Sequence, residues 1–492
     1  MGTKNLWKHL WIALAIGFLF RFFSAYFVFG PQALDDYLNQ LIPSYKFAQG
    51  LPHLLPAWRS PLVVWMIGTV IKVAQEVGIT SPVGQVQAVY LFLGAFSLTA
   101  FLGCYYFFKA VQDERAGVVA VYFTALHGLM PFVSTRAFLE SMSMGPLTLG
   151  LGLLIWAVVN EKRFAIVAAL FSIGIATLIR FQVGSIYVAV LVWILFFHRK
   201  FWKEVLLTSV LILGINAGID WLDNRVPFST LIEYLRTNKD VSKYGVQPWY
   251  STWAAWLVIG FVPFSLPLLF QWRVLMKKGF KEILFFILIF VLAHSLVPHK
   301  EERFMYPIFA VSLWMWAALW VHSSDQKGFK TVVRPILLFI NFIILAVGCF
   351  INTQVGEVGV PAKLSRQSSR VLYLDRNSLV GQGQMSEYFI RAGSSLERRP
   401  AIISNDELMN QWGSKEFEAI AIMTSQTEIL PELNLLSSQD FKNMHCSETQ
   451  EESSFVDGII YRMNPKRNQR RKPTWFVVCS DLAWLRSHGY KI

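Results

Sequence analysis

His299-Lys300-Glu301-Glu302-Arg303-Phe304 sets five polar side chains in a row between two long apolar runs, Leu284 to Val297 before it and Met305 to Val321 after it. Both runs read as membrane helices, so these charges fall at the rim of a bilayer. Ionisable groups placed there are costly unless they face water or bind something. A minimal turn between two helices would use Gly, Asn or Ser, so the stretch carries more chemistry than connection requires. The cations His299, Lys300 and Arg303 can hold a phosphate, and the carboxylates Glu301 and Glu302 can orient them.

Composition agrees with that placement. Of 492 residues, 54% are hydrophobic and only 16% are charged, where a soluble domain carries about a quarter. The expected class is an α-helical polytopic membrane protein. Apolar runs at 6–30, 86–109, 116–133, 141–159, 163–179, 184–198, 204–222, 251–271, 282–298, 304–322 and 334–352 predict about eleven transmembrane helices. Leu6 to Gly30 is long and no small-residue cleavage site follows it, so it reads as a first spanning anchor rather than a cleaved signal. The net charge of +13 sits mostly in short loops, where it sets topology and does not point to nucleic acid.

Lys4 and Lys8 put the N-terminus in the cytoplasm, and the basic loops Lys109 to Arg115, Glu161 to Arg163, His198 to Lys203, Arg273 to Lys281 and Lys327 to Arg334 should share that side. They do so only if the apolar segment 62–77 does not span. It is therefore expected to be an amphipathic, interfacial helix with Lys72, Gln75 and Glu76 near water. The first outer loop then runs over 31–85, and Asp35, Asp36, His53, Arg59, Arg136, Glu140, Arg180, Gln182, Asp220, Asp223, Tyr244 and His299 to Arg303 would all face one outer volume. A transporter would place such groups near the bilayer midplane instead.

Several of these residues have a plain alternative. Asp35 and Asp36 suit a general base and its acceptor-orienting neighbour, and equally a helix N-cap before Tyr37. Arg59, beside Trp58 and Ser60, can take a phosphate through its fork of donors, while Trp58 reads as an interfacial anchor. Arg136 and Glu140 are spaced as an i, i+4 helical ion pair, or as a site wall. Arg180 has the position of a snorkelling helix-end cation. Tyr244-Gly245-Val246-Gln247-Pro248-Trp249-Tyr250 combines an aromatic belt with the Gly and Pro of a shaped loop.

Residues 354–492 are more charged and their apolar runs are shorter. Arg370 to Leu374, Ala419 to Thr424 and Trp475 to Cys479 read as strands, and Asp406 to Trp412 and Asp481 to Arg486 as helical turns. The expected organisation is a transmembrane module over 1–353 and a small α/β domain outside the membrane over 354–492. Cys446 and Cys479 could pair there or remain thiols.

The segment His299 to Pro307, HKEERFMYP, closely resembles the HKE-x-RF-x-YP signature of the glycosyltransferase family 22 mannosyltransferases. Asp35 and Asp36 resemble the family's acidic pair, Arg59 and Ser60 its Arg-Ser pair, and Asp220 with Tyr244 to Trp249 its D…YG-x-x-PW stretch. Trp221 to Pro227 replaces the family's aromatic-Tyr-Gly run, and the loop before Arg59 lacks its Trp-Glu-Tyr.

The resemblance implies a GT-C-like fold, a polyprenyl-phosphate-mannose donor, a membrane glycolipid acceptor, inverting transfer and no bound metal or cofactor. On that expectation Asp35 and Asp36 are catalytic, and His299, Lys300, Arg303 and Arg59 hold the donor phosphate. Glu301 and Glu302 orient those cations, and Tyr244, Gln247, Trp249, Arg136 and Glu140 contact substrate. The site faces the periplasm of a bacterial inner membrane, favoured by short loops and the unfamiliar C-terminal domain, or the endoplasmic-reticulum lumen in a eukaryote. Other readings are a GT-C enzyme moving glucose, aminoarabinose or arabinofuranose, a lipid flippase or transporter, and an inactive scaffold.

Overall fold

Long stretches without charge leave a backbone in lipid one economical way to satisfy its N–H and C=O groups, the helix. The computed structural model describes residues 4–30, 37–52, 55–238, 245–353, 355–365, 371–375, 396–399, 417–424, 444–448, 450–463, 465, 471 and 473–492, and is mostly helical. Among the described residues, six helices are long and apolar enough to cross a membrane: Asn5–Phe27, Pro82–Val111, Leu139–Val159, Arg199–Leu222, Glu302–Ser323 and Phe329–Phe350. Arg163–Ile179, Phe181–Phe197 and Leu266–Met276 are shorter apolar helices. The chain is an integral membrane protein.

The expected span 86–109 carries a short turn at Ser97 and Leu98 between Pro82–Phe96 and Thr99–Val111, and two others are interrupted at greater length. The run 116–133 forms Glu114–Leu126 and Met130–Thr135, broken at His127 to Leu129. Asn341 makes the break tolerable: its Oδ1 accepts from the Gly128 N–H at 2.7 Å and its Nδ2 donates to the Leu126 carbonyl at 2.8 Å. The run 251–271 ends its first helix at Val258 and resumes as a 3-10 helix over Leu266–Met276. Pro263 and Pro267 lack the N–H that a continuous helix requires. Segment 62–77 is the helix Pro61–Glu76, with Val63, Val64, Ile67, Ile71 and Ala74 buried on one face and Lys72 and Glu76 exposed.

The fold divides into two compact units. The first holds 1–26, 53–66 and 90–350. Its centre is the helical pair Leu139–Val159 and Arg163–Ile179, packed on Thr99–Val111. Close packing of small residues makes this possible in lipid, where burial of apolar surface drives little: a Cβ on Gly152 would lie 2.0 Å from the Gly103 carbonyl oxygen. Trp314 is fully buried and stacks on Phe107 at 4.7 Å. Arg21, buried within the first span, is held by neutral oxygens, donating to Ser97 Oγ, the Gly17 carbonyl and the Thr124 carbonyl at 2.8, 2.9 and 3.2 Å.

The second unit joins 27–52 and 67–89 to 351–492, so parts of the first outer loop cluster with the C-terminal residues. The Gly30 N–H donates to Asn352 Oδ1 at 3.0 Å. Its sheet contains β1 (Val371–Asp375), β2 (Leu396–Arg399), β3 (Ala419–Thr424), β4 (His445–Cys446), β5 (Gln450–Glu452) and β6 (Thr474–Ser480). The order is β2-β1-β3-β6-β4, parallel across β2, β1 and β3 and antiparallel at β6, with β5 also paired to β6. Ala419, Ala421, Phe476 and Val478 pack under Trp484 and Leu485 of the helix Leu482–Ser487. Cys446 and Cys479 face each other across β4 and β6 and form a disulfide. Asp406 to Trp412 lies outside the described residues.

Candidate functional site

The apolar helix Phe280–Ser295 delivers the chain to the hairpin, and Glu302–Ile308 leads out of it as a 3-10 turn. Between them the five polar residues have distinct partners. Glu301 uses both carboxylate oxygens: Oε1 lies 2.9 Å from His299 Nε2 and Oε2 lies 2.7 Å from Arg303 Nε. One carboxylate thus fixes two side chains, the Arg303 guanidinium and the His299 imidazole, and the charge on the arginine makes its contact stronger than a neutral one. His299 Nδ1 is 3.2 Å from the Gly245 carbonyl. Arg303 is buried, with its guanidinium 4.8 Å from the Phe138 ring centre and 5.9 Å from that of Phe304. Glu302, by contrast, is exposed.

Lys300 turns inward. It is 5% exposed and donates to the Gln247 carbonyl at 3.2 Å and the Val297 carbonyl at 2.5 Å. Burial lowers its ammonium below the usual lysine value. The Gln247 N–H in turn donates to the Pro298 carbonyl at 3.1 Å. On its own side, the turn at Gly245 to Trp249 is therefore held to the hairpin through main-chain atoms. Gly245 adopts φ +99°, a conformation open to glycine and strained for other residues. Trp249 is exposed and edge-on to Tyr250 at 6.1 Å.

Phe304 links the hairpin to a second polar group, since the Arg180 guanidinium lies 5.5 Å from its ring centre. Arg180 does not snorkel. It is 8% exposed, pairs with Glu140 Oε1 through Nη2 at 2.7 Å, and donates from Nε to Gln182 Oε1 at 3.1 Å. The i, i+4 ion pair expected of Arg136 and Glu140 does not form on one helix, because Thr135 ends one helix and Leu139 begins the next. Arg136 instead sits over the rings of Tyr90 at 4.2 Å and Phe132 at 4.6 Å, and its Nη2 donates to the Ser24 carbonyl at 3.3 Å.

Tyr234 completes this second group, and sequence reasoning missed it. It lies on Ser229–Thr237, a short helix in the connection before the shaped turn. Burial raises its phenol above the usual tyrosine value and the Glu140 charge adds to that, while Arg180, Arg59 and a bond to Gln182 oppose it. Its helix is held at the N-terminus by Asp220, which is 1% exposed and accepts from the Thr230 N–H at 3.2 Å and from the Thr230 hydroxyl. Arg225 was also missed. It pairs with Asp223 at 2.8 Å and donates to the Ala57 and Arg59 carbonyls at 3.3 and 3.1 Å, tying this connection to the Arg59 loop. The one sequence signal was the departure at Trp221 to Pro227.

Of the outer polar residues expected together, the structure gathers His299, Glu301 and Arg303 around one carboxylate, with Lys300 pinning the turn beside them. It gathers Glu140, Arg180, Gln182 and Arg59 around Tyr234. Asp35, Asp36, His53 and Tyr244 lie outside the described residues. Cations around a half-buried tyrosine, at the end of membrane helices, can bind and neutralise an anionic group.

A model of the Alg9-like mannosyltransferase family matches residues 10–367. GPI mannosyltransferase 3 of Candida albicans is 24% identical over 375 residues, covering 73% of this chain and 72% of that protein. Its namesake in Yarrowia lipolytica is 26% identical over 344 residues, with 66% and 64% covered. Among solved structures, ArnT from Cupriavidus metallidurans bound to undecaprenyl phosphate superposes with a TM-score of 0.57 at 13% identity, over 86% of this chain and 93% of that one. Its apo form gives 0.56 at 12% identity, over 97% and 98%. At such identity the likeness is one of fold, and the chain has the GT-C-like architecture.

Proposed function

The chain belongs to the Alg9-like mannosyltransferase family, glycosyltransferase family 22, and from that premise we propose that it moves mannose from a polyprenyl-phosphate-mannose donor to a hydroxyl of a membrane glycolipid, with inversion. The acceptor hydroxyl loses its proton to the Asp35 carboxylate as its oxygen bonds to the sugar C1. The C1–O bond to phosphate breaks, and the polyprenyl phosphate leaves with the electron pair. Asp36 orients the acceptor. Arg303 meets the charge that develops on the phosphate, with His299 and Arg59 beside it, because a guanidinium fork matches phosphate oxygens. Lys300 serves mainly by holding the turn at Gly245 to Trp249, with two of its three donors given to carbonyls. The arginines supply the neutralisation, so this reading calls for no metal.

The observation that carries this is the Glu301 carboxylate bridging His299 and Arg303. It presets an arginine and a histidine before a substrate arrives, and preorganisation of that kind is where electrostatic catalysis gains most. The ArnT structure with undecaprenyl phosphate supports a polyprenyl phosphate as the leaving group, and the fungal relatives' name makes a GPI precursor the first acceptor to try.

The test supplies purified protein with polyprenyl-phosphate-mannose and a GPI-precursor glycolipid, and follows the product by mass spectrometry. One added hexose on the lipid is expected. Asp35→Asn should abolish it while leaving donor binding intact. Loss of donor binding in a folded Asp35→Asn protein would remove Asp35 as the base.

A further inference from the structure

On the face that carries the basic loops, three helix ends enclose a cavity of about 230 Å³: the last turn of Leu139–Val159, the last turn of Gly184–Phe197 and the start of Phe280–Ser295. Glu140 stands at the opposite end of the first of these helices. That helix has 21 residues, which places the two ends about 30 Å apart. The cavity is therefore no part of the transfer site.

Ile155, Val158, Val159 and Trp193 supply its apolar lining. His198, Lys200 and Lys278 line it with the carboxylates Glu161 and Glu282. Both carboxylates are already engaged. Glu282 Oε2 accepts from the Gly279 N–H at 2.6 Å, capping its helix. Glu161 Oε1 pairs with Lys200 at 2.6 Å in a solvated contact, of the kind that holds little. Lys278 has no carboxylate partner among the described residues. Burial lowers His198 below the usual histidine value, and the charges of Lys278 and Lys200 lower it further against the opposing pull of Glu282; both lysines line the same cavity as His198. The mouth borders the lipid-facing surface: Val159 is 45% exposed and Phe197, next to His198, is 74% exposed.

We propose that this cavity is a headgroup site for an anionic phospholipid of the cytoplasmic leaflet, with the phosphodiester between Lys200 and Lys278 and the glycerol backbone against Trp193. Two cations, one of them without a carboxylate partner among the described residues, match a phosphodiester. Free phosphate would use the cations too, but it would leave the apolar lining and the exposed apolar side chains Val159 and Phe197 without a role. The side follows from the basic loops, which stay on the cytoplasmic face.

The test is native mass spectrometry of the full chain released from vesicles of phosphatidylglycerol mixed with phosphatidylcholine. Retention of phosphatidylglycerol should fall about fivefold for Lys200→Gln and again for Lys278→Gln. A control pair, Lys327→Gln with Lys330→Gln, makes the same charge change on another basic loop and should leave retention unchanged. Intact mannosyl transfer by every variant shows that each has folded and separates failure here from failure of the proposed reaction. Equal loss in the control pair would assign the effect to diffuse surface charge and overturn the site. Displacement of the lipid by millimolar inorganic phosphate would assign the cavity to free phosphate and overturn the lipid. Full retention in the double variant would overturn both.

Discussion

Glu301→Gln keeps the shape of the bridging side chain and removes its charge. A glutamine has one acceptor oxygen where the carboxylate has two, so it can face His299 Nε2 or Arg303 Nε, and its NH₂ then faces the other nitrogen. One charge-assisted contact is lost outright, worth about 1.5–3 kcal/mol, and the survivor becomes a neutral acceptor's bond of about half the strength. The Glu301 side chain is 27% exposed, so solvent screens part of the loss, and about 2–3 kcal/mol remains as an order of magnitude. At about 1.4 kcal/mol per tenfold, kcat/KM for transfer from polyprenyl-phosphate-mannose should fall roughly 30- to 150-fold. The assay is initial-rate mannosyl transfer in defined liposomes, with the thermal midpoint of the same preparations as the folding control. Glu301→Gln combined with Arg303→Lys should lose much less than the two single losses added together, because both act through one contact. A Glu301→Gln enzyme within threefold of the parent would refute the idea that this carboxylate presets the phosphate-binding cations.

Other consequences can be measured separately. Lys300→Met keeps the aliphatic stem but strips two carbonyls of a charged donor, at a local cost of about 2–4 kcal/mol. Amide hydrogen exchange should quicken at residues 245–249 and 297–300 and nowhere else, and unchanged exchange at 245–249 would dissociate Lys300 from the turn. Asp220→Ala removes the cap of Ser229–Thr237, worth about 1 kcal/mol; exchange should rise in that helix, and transfer should fall if Tyr234 depends on it. Exhaustive dialysis against a chelator should leave the transfer rate within twofold, and loss restored by added magnesium or manganese would move phosphate neutralisation from the arginines to a metal.

Much of this architecture was legible because it follows from local rules. Strands at Ala419–Thr424 and Thr474–Ser480 and the helix after Asp481 announced themselves by apolar runs and a capping aspartate, which accepts from the Trp484 N–H at 2.7 Å. The hairpin stood out because five polar residues between spans have no packing explanation. Other features depended on partners distant in the chain. The break at His127 to Leu129 is invisible until Asn341, more than two hundred residues on, meets its carbonyl and N–H. Glu140 was matched with Arg136 by spacing, whereas its partner Arg180 comes from the far end of the following helix. Tyr234 had no signal at all: a tyrosine on a short amphipathic helix is ordinary until Arg59, Glu140 and Arg180 are brought around it.

The turn at Gly245 to Trp249 meets the hairpin through its own peptide groups, whereas the hairpin answers with the Lys300 and His299 side chains and the Pro298 carbonyl, and this sets how the two loops tolerate change. Gln247 takes part through its own N–H and carbonyl, so a saturation scan should accept most side chains at position 247. Position 245 is constrained by handedness alone, since a Cβ there would meet nothing within 4 Å; a D-alanine introduced by semisynthesis should be accommodated where L-alanine is not.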